Sequence, residues 1–320
     1  MKAIVQNEYG SPDVLALADI DQPVPGKEEV LVRVRASAVH AGDYFALTGT
    51  PYLVRLSSGW PRPRNYIPGY DVAGLVEAVG RKADRFRPGD EVFGACTGGC
   101  AEYVCVKANR LVPRPTSLTF EQAAAVPTSG LAALHGLRDA GKLRPGQKVL
   151  INGGSGGVGT FAVQIAKALG AEVTAVCSTR SVELVRSLGA DHVIDYTEED
   201  YTRTGESYDL ILDQAASHSL ADSRGALGPG GTHIPNSGRG GTGYVFRAFL
   251  GSMFLRRQGR PYLSIPNRED LALLGELIES GRIRPVIDRC YPLSQTPEAF
   301  RYLGTGHPRG KVVITVEQEG

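Results

Sequence analysis

Three glycines, Gly154, Gly156 and Gly159, are spaced G-x-G-x-x-G within NGGSGGVG (152–159). KVLI (148–151) precedes the stretch and TFAVQIAKALG (160–170) follows, so the motif falls where a strand passes into a helix. In that setting the first glycine permits a tight turn. The second lets the backbone approach a pyrophosphate, and the third lets helix and strand pack closely. The helix N-terminus then presents N–H groups without intrahelical partners, and a partial positive charge, to the phosphates. Sharp turns alone also use glycine for its positive φ. The complete strand–loop–helix–strand context is what points to a dinucleotide, held by Gly154, Ser155, Gly156, Gly157, Val158 and Gly159.

The next strand predicts which dinucleotide. An acid at its end would bind the adenine ribose 2′-hydroxyl, but the sequence there is Val176-Cys177-Ser178-Thr179-Arg180. Two hydroxyls and a guanidinium suit a 2′-phosphate, which predicts NADPH. The alternative is that Ser178 and Thr179 only cap the following helix and Arg180 is solvated.

The elements that position these residues are legible in the hydrophobic pattern. The chain has 320 residues, 42% hydrophobic and 22% charged, with a net charge of +1. That length is comfortable for two domains, and so small a net charge predicts no nucleic-acid partner. No apolar run approaches the ~20 residues of a membrane span, the start MKAIVQNEYG lacks the layout of a signal peptide, and five cysteines do not suggest a disulfide framework. A reducing cytoplasm is expected. Up to about Phe120 the texture is β: 29–39, 71–80, 89–95 and 101–107 read as short strands separated by Pro and Gly, as in a small barrel or sandwich. Residues 117–137 read as one helix, with Thr119 as N-cap and Gln122 three positions on. Strands and helices then alternate through 148–235, which predicts a parallel sheet with crossover helices. A helix over 269–281 and strands over 285–293 and 310–316 follow.

The chain resembles the medium-chain dehydrogenase/reductase superfamily, in its zinc-independent quinone oxidoreductase (zeta-crystallin-like) branch. The matching stretches are IPGYDVAGLVEAVG (67–80), PGDEVFG (88–94), AEYVCV (101–106), AAAVPTSGLAAL (123–134), VLINGGSGGVGTFAVQIAKALGAEV (149–173), LGADHVIDY (188–196) and GKVVI (310–314). They run through almost the whole chain in family order. The resemblance implies an α/β fold: a Rossmann doubly wound parallel sheet (123–282) inserted in a GroES-like β-barrel catalytic domain built from 1–122 and 283–320. Substrate would lie in the cleft between the domains, and the protein would be a homodimer.

The resemblance also tells where zinc would be. Its three ligand positions correspond to His40, Tyr70 and the neighbourhood of Ala125, one possible ligand where a site needs three. Cys96, Cys100 and Cys105 are not the four close cysteines of a structural zinc loop, so no bound zinc is expected. Without metal, the charge that builds on a carbonyl oxygen during 1,4-addition of hydride must be met by hydrogen-bond donors. His40, Tyr44 and Tyr52 lie in the segment that faces nicotinamide in the family. His40 either donates to that oxygen or orders its own loop; Tyr44 and Tyr52 either line the pocket or pack. Asp43 matches a family acid and equally fits local turn support. Thr128 approaches nicotinamide in relatives, Tyr196 contacts the adenine side, and Lys311 lies near the cofactor; a turn hydroxyl and a solvated strand-end lysine are the plain alternatives for Thr128 and Lys311.

The expected activity is NADPH-dependent reduction of quinones or of activated C=C bonds in enones. Alcohol or carbonyl oxidoreduction, a specialised biosynthetic reduction and a non-catalytic NADPH-binding role are the alternatives. Residues 236–270 mix glycine, arginine and bulky apolar side chains, and fit a substrate lid, a dimer edge or a basic membrane-surface helix.

Overall fold

The alternating segment EVLVRVRASAV forms an eleven-residue strand, β3 (Glu29–Val39), around which the first part of the fold is organised. Val30, Val32 and Val34 are fully buried while Arg33 and Arg35 are half-buried, the division that period-two patterning produces. The computed structural model describes residues 1–64, 67–237 and 262–317, and the chain divides into two units. The first comprises Met1–Leu131, Ile265–Ser280 and Pro285–Gly320, and the second Ala132–Ser264 and Gly281–Arg284.

In the first unit β3 pairs antiparallel with β4 (Asp71–Val79), β6 (Tyr103–Lys107) and β14 (Lys311–Thr315). The sheet extends through β5 (Glu91–Ala95) and β7 (Leu111–Pro113) on one side and β13 (Ile287–Pro292) on the other. Both ends of the chain therefore build one sheet. Two short helices, α1 (Ala41–Thr48) and α2 (Val54–Ser58), follow β3 in a stretch whose overall texture reads as β.

The helix expected over 117–137 is three pieces. α3 (Phe120–Ala124) starts at Thr119, whose side chain accepts from Gln122 N–H while the Gln122 side chain accepts from Thr119 N–H. Pro127 has no N–H to continue the ladder, so α4 (Pro127–Leu134) begins afresh there, and a π-helical turn, His135–Ala140, completes the run. α3 packs on β3 and β4, and α8 (Arg268–Glu279) packs on β7; both belong to the first unit by these contacts.

The second unit holds five described strands, all parallel, in the order β10 (His192–Asp195), β9 (Glu172–Cys177), β8 (Lys148–Asn152), β11 (Tyr208–Asp213), β12 (Leu227–Pro235). The chain enters at the centre, winds outward through β9 and β10, and returns to the other side of β8. This reversal is the doubly wound topology, and its ligand crevice lies beyond the C-terminal ends of β8 and β11. The crossovers carry α5 (Gly157–Ala168), α6 (Val182–Ser187) and α7 (Leu220–Gly225). The β11 segment Leu210–Asp213 is buried throughout, as strands covered on both faces are.

No helix among the described residues is long and apolar enough to cross a membrane. Most of the 236–270 segment, expected as lid, dimer edge or membrane-surface helix, lies outside the described residues.

Candidate functional site

In the second unit the glycine loop leaves β8 and is tied at once to β9: the N–H groups of Gly153 and Gly154 both donate to Val176 O, at 3.1 and 2.9 Å. The positive φ of the turn belongs to Gly153 (φ +89°), not to Gly154 as the motif spacing suggests. Gly154 is needed for close approach instead, since a Cβ there would lie 2.9 Å from Ala175 Cβ. At Gly159 a Cβ would stand 2.1 Å from Gly153 O, so the start of α5 can rest on the loop only without a side chain. Gly156 is different. Its nearest neighbour to a Cβ is 3.5 Å away, and it caps α5 with the first helical bond running from Thr160 N–H to its carbonyl at 2.9 Å. The N–H groups of Gly157, Val158 and Gly159 precede that bond, and Ser155 to Val158 are half-buried, open to a ligand. These are the features a pyrophosphate requires, and the residues present fit a dinucleotide.

Across the crevice, Asp213 at the end of β11 is fully buried. Its Oδ1 accepts from Asn152 Nδ2 at 2.8 Å and from the N–H groups of Ala215 (3.1 Å) and Ala216 (2.9 Å). These bonds fold residues 214–217 back beside Gly153.

Beyond β9, Ser178 is half-buried and Thr179 and Arg180 are exposed. Neither helical turn that follows receives a side-chain capping bond, so capping does not occupy Ser178. Thr179 Oγ1 lies 2.9 Å from Thr197 Oγ1, which in turn donates to Asp195 Oδ1 at 2.8 Å; Thr197 N–H also donates to Asp195 Oδ1, at 3.0 Å. Hydrogen bonds from Thr179 and Thr197 hold the Asp195 carboxyl below the usual range, so it is an anion. Tyr196 is 53% exposed, with its N–H on Cys177 O at 3.0 Å. Asp195 was not singled out from the sequence. The signal available was its place at the end of the strand after β9, in HVIDY.

In the first unit His40 caps α1. Its Nδ1 accepts from Gly42 N–H at 2.9 Å, which places the ring proton of the neutral form on Nε2. Nε2 is buried with no hydrogen-bond partner among the described residues. The ring stacks on Tyr70, centroids 5.6 Å apart. Asp43 takes the turn-support role: Oδ2 accepts from His40 N–H at 2.8 Å and Oδ1 from Gly69 N–H at 3.0 Å. Burial raises its pKa, against the lowering by nearby His40. A cavity beside this pair is walled by Asp43, Gly69, Tyr70, Thr97, Ser58 and Pro63.

Tyr44 and Tyr52 have other surroundings. The Tyr44 ring packs against Gly304 in α9 (Thr296–Gly304), where a Cβ would come within 2.9 Å of it. Tyr52 is 69% exposed, with the Arg55 guanidinium 4.8 Å from its ring centre.

Thr128 and Lys311 are brought together by Asp71. Its Oδ1 accepts from Thr128 N–H (2.9 Å) and Oγ1 (2.6 Å), and its Oδ2 lies 3.1 Å from Lys311 Nζ. Lys311 is 1% exposed and so is not a solvated strand-end lysine. In the sequence Asp71 stands in the motif GYDVAG, directly after Tyr70.

The chain matches two family descriptions, "Alcohol dehydrogenase GroES-like domain" over residues 26–116 and "Zinc-binding dehydrogenase" over residues 188–314. It is 33% identical to the 2-methylene-furan-3-one reductase of Solanum lycopersicum over 329 residues, 98% of this chain and 79% of the relative. The quinone oxidoreductase from Coxiella burnetii superposes with a TM-score of 0.88 at 31% identity, covering 99% of both chains. The Escherichia coli quinone oxidoreductase, solved in complex with NADPH, gives a TM-score of 0.85 at 26% identity over 98% of this chain and 100% of that one.

The word zinc in the second description finds no donor set at the positions the resemblance marks. Ala125 carries no donor, and His40 Nδ1 is engaged by Gly42 N–H. Cys96 and Cys100 are buried free thiols and Cys105 lies in β6, so the four close cysteines of a structural zinc loop are not there. The glycine loop, the parallel sheet and the likeness along the whole chain give one conclusion: the protein belongs to the medium-chain dehydrogenase/reductase superfamily, in its quinone oxidoreductase branch, and is an NAD(P)H-dependent oxidoreductase with a Rossmann sheet and a GroES-like domain.

Proposed function

We propose that the enzyme reduces quinones or the activated C=C bond of enones. The observation that carries the reading is His40: its Nε2–H is a buried donor with no acceptor among the described residues, and its neighbours Asp43 and Tyr70 wall a cavity, in a chain whose ligand positions do not suit zinc. When bound, NADPH supplies a hydride to the β-carbon of the acceptor. His40 Nε2–H donates to the carbonyl oxygen as negative charge builds there, and Asp43 holds the His40 loop through its backbone N–H. Tyr70 fixes the plane of the imidazole by stacking. The enolate is protonated by His40 or by water. Tyr44 and Tyr52 are assigned to packing and to the outer surface of this unit. The names of the relatives support the substrate class, an exocyclic enone in one case and quinones in two.

Ser155 to Gly159 are assigned to the pyrophosphate, and Ser178, Thr179 and Arg180 to the adenosine 2′-phosphate, with Tyr196 at the adenine. Arg180→Asp is expected to weaken NADPH by about 100-fold while changing NADH by less than about threefold, read as Kd by calorimetry. Equal effects on both would remove Arg180 from the 2′-phosphate.

A homodimer in a reducing cytoplasm completes the proposal; five free cysteines support the compartment, and sedimentation equilibrium tests the subunit number. The activity test is NADPH consumption against alkyl enones, an ortho-quinone, a para-quinone and simple aldehydes. Turnover of the enones or quinones without the aldehydes is expected. Turnover of aldehydes alone would replace the proposal with carbonyl reduction.

A further inference from the structure

The end of β9 carries no acid, and this absence argues for NADPH. The fold nevertheless returns an acid to the same place from the neighbouring strand. In the β9–β10 pairing Asp195 stands opposite Cys177, the residue just before Ser178-Thr179-Arg180. The side chains then form a continuous chain of polar contacts: Asp195 Oδ1, Thr197 Oγ1 at 2.8 Å, and Thr179 Oγ1 2.9 Å further on. Thr179 thus links this carboxylate to the turn that carries Arg180.

A carboxylate beside the ribose 2′-position accepts from a 2′-hydroxyl and repels a 2′-phosphate. Arg180, on the same turn, does the reverse. Resting on the dinucleotide reading above, we propose that Asp195 is a specificity-determining residue that opposes Arg180, so that the enzyme binds NADH as well as NADPH, with affinities within about tenfold of each other. The anionic state that the proposal needs is secured by the hydrogen bonds from Thr179 and Thr197.

Asp195→Asn tests this with little change of shape, because the amide oxygen still accepts from Thr197 N–H and Oγ1. Wild type and variant are titrated calorimetrically with NADPH, NADH and adenosine 2′,5′-bisphosphate, without substrate. In the variant, NADPH and the bisphosphate are expected to bind about tenfold more tightly while NADH weakens or stays unchanged. Unchanged affinity for both 2′-phosphorylated ligands would overturn the role of Asp195. A wild type that binds NADPH more than about a thousandfold better than NADH would also overturn it, leaving the dinucleotide reading intact. A wild type that binds neither dinucleotide would overturn both.

Discussion

Lys311→Met is expected to destabilise the first unit by about 3–5 kcal/mol, the cost of leaving a buried charge without its partner. Asp71 is fully buried and Lys311 is 1% exposed, so no water replaces the lost ammonium. Methionine follows the path of the lysine stem but brings no hydrogen-bond donor to Asp71 Oδ2. The melting temperature of the first unit should fall by roughly 6–20 °C in a calorimetric scan. Adding Asp71→Asn to Lys311→Met removes the stranded charge, while the amide oxygen still accepts from Thr128 N–H and Oγ1. The double variant should therefore regain most of the loss. A single variant as stable as wild type would show that the pair contributes no net stability. The same pair of variants separates structure from cofactor binding at Lys311. If the lysine only neutralises Asp71, KM for NADPH returns to normal with stability in the double variant. If Lys311 also serves the cofactor, stability returns and KM stays raised.

The Asp71 cluster also shows where sequence reading stops. Strand β3 and the parallel strands of the second unit are visible because periodicity is local: every other residue of 29–39 reports the same buried face. The capping box at Thr119 and Gln122 is visible for the same reason, with both partners three residues apart. The helical period over 117–137 does not show the break at Pro127, where a residue without an N–H starts a new helix. Helix α1 was missed because its cap is a histidine, outside the Ser/Thr/Asp/Asn set that marks a helix start; Asp43 three positions on was the remaining signal. Asp71 meets Thr128 from 57 positions away and Lys311 from 240, and no local pattern encodes such meetings. Asp195 is similar: the acid sought at the end of one strand comes from the next, through a register that only the folded sheet sets. The glycine motif was legible as a whole, whereas the division of labour within it was not. Gly153, outside the formal spacing, supplies the positive φ because the turn starts one residue earlier.

His40→Leu is expected to lower kcat about 100-fold, the usual effect of deleting one donor aimed at a developing oxyanion, with the Kd for NADPH unchanged. Leucine removes two things at once, the Nε2–H donor and the side chain that caps α1, and the lost cap alone costs about 1 kcal/mol of stability. His40→Asn separates them. Asparagine is a good N-cap, so its side-chain oxygen can take the bond from Gly42 N–H, and its amide still offers a donor. What it lacks is an imidazole's capacity to give up a ring proton and take it back. If His40 protonates the enolate, His40→Asn should recover part of the loss seen with leucine but stay about tenfold below wild type, and one limb of its kcat–pH profile should disappear. If His40 only polarises the carbonyl, asparagine should recover most of the rate, and the profile should keep its shape. If leucine and asparagine both turn over like wild type, the unpartnered Nε2 has no part in the reaction, and the imidazole is only a cap for α1. The three outcomes differ in rate and in pH profile, so one set of steady-state measurements on two variants decides among them.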